Sequence, residues 1–302
     1  MTQNSSQVPW TDEQWGRVNQ VIQDEANRAR VAATFLPLFG PLPPDADFVR
    51  NETMGYSPSL TIDDTSTIRL ATLQVRVLLR GAQMADPDLT SALQMFRRAA
   101  NIVARLEDAV VFRGQTGPNA GPPGGAPPPP VWQILGGQTS RGLLASGGRT
   151  VVVAPNAESL VQGVSRSIGD LEGDGQFGPF AVVLGQGLFL AAQTPEPNSL
   201  VLPQDRIIPF LGGGTLLRSS TLPDDQGVVV ALGGTPVELV VATDLSLNFL
   251  QVTTDPMFVF RVFEKIALRI KEPTAIVELG PSPSRATEAA GETEPSPAKP
   301  KK

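Results

Sequence analysis

The sequence predicts an α+β fold: a long helical spine, a mixed unit of short strands and helices, and a pair of long closing strands. Three stretches carry that expectation. In 89–113, Leu89, Leu93, Phe96, Ala100, Val103, Leu106 and Val110 form one apolar stripe at helical spacing. In 257–271, Phe258, Phe260, Val262, Ile266, Leu268 and Ile270 share one face while Arg261, Lys265, Arg269 and Lys271 take the other, the two-residue period of a strand. Between them, 131–234 alternates short apolar runs with helical patterns.

The first helix has a clear start. In Thr11-Asp-Glu-Gln14 the Thr hydroxyl can accept from the third amide and Gln14 can reach back, a capping box. Trp10 and Trp15 stand where a hydrophobic staple would close, and Val18, Ile22, Ala26 and Ala29 continue one apolar face to about residue 30. Pro37, Pro41, Pro43 and Pro44 then forbid a regular element. Residues 45–79 read as a two-stranded excursion with a short return helix or strand.

Asp86-Pro-Asp88 introduces the spine helix and Gly114 caps it. At about 1.5 Å per residue it spans roughly 37 Å, the width of a domain. Residues 117–130 are rich in Pro and Gly and read as an exposed loop. Strands are expected at 151–153, 180–184, 216–219 and 228–232, and helices at 160–171, 188–193 and 205–211. The last strand, 257–271, would run roughly 50 Å at about 3.3 Å per residue, longer than most strands and long enough to project beyond its own core. Residues 280–302 have the composition of a disordered tail.

Composition narrows the chemistry. The chain has 302 residues, no Cys and no His, and 24 Lys+Arg against 30 Asp+Glu. Disulfides, thiolate metal sites, Ser-His-Asp triads and His-ligated metals are therefore excluded. The net charge of −6 lacks the basic excess of a nucleic-acid binder. No apolar run reaches the roughly 18 residues of a membrane span, and 1–8 does not read as a signal sequence, so a soluble, cytoplasmic chain is expected.

No motif argues for an enzyme. Asp170-Leu-Glu-Gly-Asp-Gly175 imitates a calcium loop, but position twelve is Ala181 and not Glu. Gly212-Gly-Gly214 lacks the rest of a phosphate fingerprint. The adjacent carboxylates Asp63-Asp64, Glu107-Asp108 and Asp224-Asp225 read as solvated turns or helix faces. No metal and no cofactor is expected.

Several motifs, taken in order, resemble those of the encapsulins, shell proteins of the family 1 type built on the Hong Kong 97-type phage major capsid fold. Trp10-Thr-Asp-Glu-Gln-Trp15 looks like the opening of the family's N-terminal helix, and Phe39-Gly-Pro-Leu42 like its turn. Arg80-Gly-Ala82 with Leu106-Glu-Asp-Ala-Val-Val-Phe-Arg-Gly114 is similar to its spine. Phe177-Gly-Pro-Phe-Ala-Val-Val-Leu-Gly185, Leu211-Gly-Gly-Gly214 and Asp244-Leu-Ser-Leu247 follow at matching places. The resemblance implies a peripheral domain, an axial domain and an extended loop. It divides the chain into an N-terminal helix and turn at 1–44, on the lumen side of the peripheral domain, and the extended loop at 45–79. The spine and Pro-rich loop follow at 80–135, the axial domain at 136–232, peripheral strands at 233–279 and the tail at 280–302.

By the same resemblance the chain assembles with itself, 60 copies or a multiple of 60, into an icosahedral nanocompartment. It would enclose a cargo enzyme, such as a ferritin-like protein or a peroxidase, that carries a C-terminal targeting peptide. The implied groove for that peptide is Phe35, Leu38, Phe39, Asp244, Leu245, Leu247 and Phe249. The implied five-fold pore loop holds Glu196, Asn198 and Ser199. Neither a nucleic acid nor a membrane is implied as a partner. A tailed-phage major capsid protein shares the fold and is the alternative, separated by the N-terminal helix; an enzyme of unknown type is the third reading. Two positions depart from the family. Pro37 stands where related shells carry an acid, which implies a more apolar peptide here. Leu73 stands where some relatives stack a flavin on Trp, which implies no flavin.

Overall fold

The chain enters its fold through the expected cap. Thr11 Oγ1 accepts from the Gln14 amide at 3.2 Å, and Gln14 Oε1 accepts from the Thr11 amide at 3.0 Å, which starts α1, Asp12–Ala29. Trp10 lies edge-on to Trp15 with ring centroids 5.1 Å apart. It also stacks on Phe260 at 5.1 Å and donates through its indole N–H to Met84 O at 3.2 Å. This computed structural model describes residues 8–56, 58–125, 131–195 and 201–281.

A short α2, Ala32–Phe35, leads to β1, Leu38–Phe39. Then β2, Phe48–Gly55, and β3, Thr61–Arg69, form an antiparallel hairpin. The return segment is β4, Ala71–Arg80, followed by α3, Gly81–Met84. The spine is α4, Thr90–Arg113. Asp86 caps its entry by accepting from the Thr90 amide at 2.9 Å. Gly114, at φ +77°, ends it.

The strand β5, Trp132–Gly136, is followed by β6, Thr150–Val152, and α5, Ala157–Gly173. Next come β7, Phe180–Leu184, α6, Gln186–Gln193, and α7, Pro203–Ile207, which a 3-10 turn extends. The remaining strands are β8, Leu216–Arg218, β9, Gly227–Ala231, β10, Val237–Val252, β11, Met257–Ile270, and β12, Ile276–Gly280.

Two five-stranded sheets organise these elements. The first has the order β1-β10-β11-β4-β5, and the second β6-β12-β9-β7-β8. The spine lies across the first sheet, with α1 packed against it and against β10. Phe96, Phe112 and Phe260 are fully buried there. In the second sheet, Ala181, Val183, Val228 and Val230 join that same core, while Val182, Leu184, Val229 and Ala231 pack beneath α5 and α6. Burial on both faces is why β7 and β9 read as unbroken apolar runs.

Residues 45–79 hold the expected two-stranded excursion and a return strand: the hairpin occupies 48–69, and Ala71–Arg80 is a central strand of the first sheet, antiparallel to β11. The structure corrects two other expectations. The chain end at 276–280 does not stay with the closing strands. It pairs with β9 and β6 in the second sheet, where Ile276, Val277 and Leu279, apolar on both faces, suit an interior strand. Glu107-Asp108 is not a solvated helix face, since both side chains are buried. The loop 115–125 is anchored to the body: Asn119 exchanges two hydrogen bonds with Gly136, and Arg113 donates to Gly125 O. Residues 126–130 and the tail at 282–302 lie outside the described residues.

Candidate functional site

Where α1 ends, the chain turns beneath the first sheet and leaves a cavity of about 440 Å³. Its walls come from Arg30, Ala33 and Thr34 on one side and from Leu38, Phe39 and Val241 on the other. The local sequence dictates this shape. The prolines keep 37–44 from becoming a helix, and β1 instead pairs in parallel with β10, Leu38 opposite Leu239 and Phe39 opposite Val240. Gly40, at φ +134°, lets the backbone pass where a Cβ would meet Val241 O at 2.2 Å. The strand β1 sits at the edge of the sheet. Its Leu38 is 62% exposed and Phe39 38% exposed, with the Arg269 guanidinium 4.1 Å over the Phe39 ring.

One cation closes the head of the cavity. Arg30 reaches Glu107 on α4 at 2.7 Å, Asp244 on β10 at 2.8 Å and Glu264 on β11 at 2.5 Å. Beside it Asp108 accepts from the Val31 and Ala32 amides, at 3.0 and 2.8 Å, and so caps α2. Glu107, Asp108 and Glu264 are almost fully buried, and Glu107 and Glu264 share the Arg30 guanidinium with the exposed Asp244. Burial pushes Glu107 up to about 7 against the pull of Arg30, with Asp108 adding to the rise. Burial pushes Asp108 to about 7 as well, against its two amide bonds. Glu264 rises well above the carboxylate range, first through burial and then through the nearby Glu107 carboxyl. Burial works against the charge on Arg30, but Glu264, Glu107 and Asp244 hold its pKa above the ordinary value.

Of the groove residues implied by sequence, the structure brings Leu38, Phe39 and Asp244 to the cavity wall. The other four stand behind it. Phe35 is 8% exposed and stacks on Phe112. Leu245 is fully buried, its carbonyl accepting from Gln23 Nε2 at 2.7 Å. Leu247 is half-buried opposite Val262, and Phe249 is buried against Phe260 with centroids 5.4 Å apart. Leu245 and Phe249 on β10 and Phe35 on α2 belong to the core, and Leu247 packs against it. The Asp244 side chain is 56% exposed, so the wall does carry a carboxylate, although Arg30 balances its charge.

Sequence reasoning missed Arg30, Glu107 and Glu264. The available signal was Glu264, an acid at an even position among Phe260, Val262 and Ile266 on the apolar face of its strand. Glu196, Asn198 and Ser199 lie outside the described residues. In the would-be calcium loop, Asp174 pairs with Arg149 at 2.9 Å. Leu73 is fully buried within the first sheet. No helix among the described residues is long and apolar enough to cross a membrane.

Comparison with known proteins gives this geometry a setting. A family model described as "encapsulating protein for peroxidase" matches residues 134–267. The chain is 26% identical to the type 1 encapsulin shell protein of Myxococcus xanthus over 307 aligned residues, 95% of this chain and 96% of that one. Its fold is similar to the virus-like particle of Pyrococcus furiosus, with a TM-score of 0.67 at 15% identity over 88% of this chain and 99% of that one. It is also similar to the capsid of Myoviridae phage XM1, with a TM-score of 0.53 at 12% identity over 82% and 90%. The hairpin, the long spine helix and the two sheets are thus arranged as in the Hong Kong 97-type capsid fold, and in sequence the chain is similar to encapsulin shell proteins.

Proposed function

We propose that this chain is the shell subunit of an icosahedral encapsulin nanocompartment, and that the cavity below α1 receives the targeting segment of its cargo. The observation that carries the shell reading is the end-to-end alignment with the Myxococcus shell protein on a capsid fold. The division of labour follows: residues 48–69 act as the extended loop, the unit around the second sheet as the axial domain, and the first sheet with α1 and α4 as the peripheral domain. Shell assembly is structural work and requires no catalytic group.

The observation that carries the cargo reading is β1. It is an edge strand with two exposed apolar side chains above a cavity. An extended segment can add to such an edge through its backbone and place alternate side chains in the cavity. Asp244 and Arg30 cancel each other's charge at its head, which suits a largely apolar segment. A peroxidase or a ferritin-like protein encoded beside the shell gene is the expected cargo.

The test is co-expression of the shell with a fluorescent protein that bears the last ~20 residues of such a neighbour. Fluorescence should co-purify with shells, and Leu38→Asp should abolish it while shells still form. Equal loading of parent and variant would rule the groove out.

A further inference from the structure

The cavity below α1 is apolar along much of its wall and acidic at its head. There Arg30 from α1 meets Glu107 from α4, Asp244 from β10 and Glu264 from β11, and Asp108 from α4 stands beside them. The lining residues of α2 and β1 are Ala33, Thr34, Leu38 and Phe39, none of them charged. One guanidinium therefore faces four carboxyls. Asp244 is exposed, and Asp108 is satisfied by the Val31 and Ala32 amides. Glu107 and Glu264 differ from both. They are 1% and 0% exposed, and Glu107 Oε1 and Oε2 and Glu264 Oε1 have no hydrogen-bond partner among the described residues. Both acids also line the cavity.

A buried carboxylate oxygen without a hydrogen bond is costly, and one cation does not compensate several such groups. Burial pushes both acids up against the pull of Arg30, Glu107 to about 7 and Glu264 well above the carboxylate range. The pair is thus a part of the wall whose charge changes around neutral pH. An open cavity admits water, which eases that charge. An apolar segment that fills the cavity displaces the water and leaves the pair in a lower dielectric, where the charged form is disfavoured further.

We propose that the groove is proton-gated: an apolar segment seats there together with a proton on Glu107 or Glu264, and leaves as that proton is lost. The inference rests on the groove reading and adds a condition to it. Binding and proton uptake are linked in both directions. For one proton taken up, affinity falls by up to about tenfold per pH unit once the unoccupied groove has lost that proton. Loading is therefore favoured in mildly acidic solution and suppressed in mildly alkaline solution.

The test is reassembly at controlled pH. Shells are unfolded in guanidinium chloride and diluted into buffers between about pH 6 and 8.5, each containing the same tagged fluorescent protein. All samples are then returned to one pH, and the reporter captured per shell is counted, with Leu38→Asp shells as the background. Capture by the parent should fall about tenfold across the range. Glu107→Gln with Glu264→Gln, which keeps the pair uncharged, should remove the dependence. Should that double variant not fold, Glu264→Gln alone, which leaves Glu107 and Asp244 to hold Arg30, should lessen the fall. Parent capture that does not change with pH would overturn the proposal, and so would the parent's slope in folded Gln variants. Capture that rises with pH would also overturn it, since that would assign the pair to a basic side chain on the segment. Shells that form but never exceed the Leu38→Asp background would overturn the groove reading itself.

Discussion

Arg30 Nε lies 2.7 Å from the buried carboxyl of Glu107, and that same guanidinium also holds Glu264 and Asp244. One cation therefore ties the end of α1 to the spine and to two strands. Replacing Arg30 by Met removes the counter-charge and leaves the acids buried. Breaking a buried pair in this way costs about 3–5 kcal/mol. We expect a lower thermal midpoint and faster amide exchange throughout α1, and unchanged exchange in that helix would speak against the tie.

The same cluster sets a pH dependence. Glu107 and Asp108 are raised to about 7 in the fold, and Glu264 is raised further. A carboxyl raised on folding stabilises fully below its unfolded value and loses that contribution as pH rises through the folded value. Glu238, Asp47 and Asp63 are lowered and act the other way, but their effect is complete once pH exceeds the ordinary carboxylate range. Between about pH 5 and 7 stability should therefore fall, by a few kcal/mol for fully buried groups at about 1.4 kcal/mol per pKa unit. Glu264→Gln should flatten that slope in thermal unfolding, and a slope as steep as the parent's would contradict a raised Glu264.

Two glycines predict opposite outcomes. Gly114 has φ +77°, and a Cβ there would lie 2.1 Å from Ser140 O. Gly114→Ala should destabilise by more than about 1 kcal/mol through strain and clash. Gly16 is exposed within α1 and meets nothing within 4 Å. Gly16→Ala should stabilise by about 0.5–1 kcal/mol. Denaturant midpoints separate the two.

The residues around the cavity divide by burial. Phe249 is 3% exposed and packs on Phe260, so Phe249→Ala should cost about 3–5 kcal/mol and reduce folded yield. Leu38 is 62% exposed, so Leu38→Ala should change stability by no more than about 0.5 kcal/mol. A large loss at Leu38 would place that side chain in the core.

What the sequence made legible was local. The Thr11–Gln14 cap, the stripe that became Thr90–Arg113 and the apolar run Phe180–Leu184 depend on neighbours a few residues away, and they appear where expected. Pairing partners are not local. Ala71–Arg80 alternates Leu73, Val75, Val77 and Leu79 inward, a pattern that states a strand but not its sheet. Ile276–Gly280 is apolar apart from Glu278, and its place between β6 and β9 depends on chains drawn from 150 and 227 onward. At the site, Leu38, Phe39 and Asp244 were readable, but Phe35 packs from α2 on Phe112, and Leu245 and Phe249 face the core on β10, whose bulges shift its register with β11. The Arg30 cluster joins four elements, and its only trace in the sequence is one acid on an apolar strand face.

The central claim is assembly, and native mass tests it most directly. Sixty copies of this 32.0 kDa chain weigh about 1.9 MDa, and larger icosahedral shells are multiples of that. Native mass spectrometry of the recombinant chain at micromolar concentration should return a mass in this series. A folded monomer or dimer under those conditions would contradict the account.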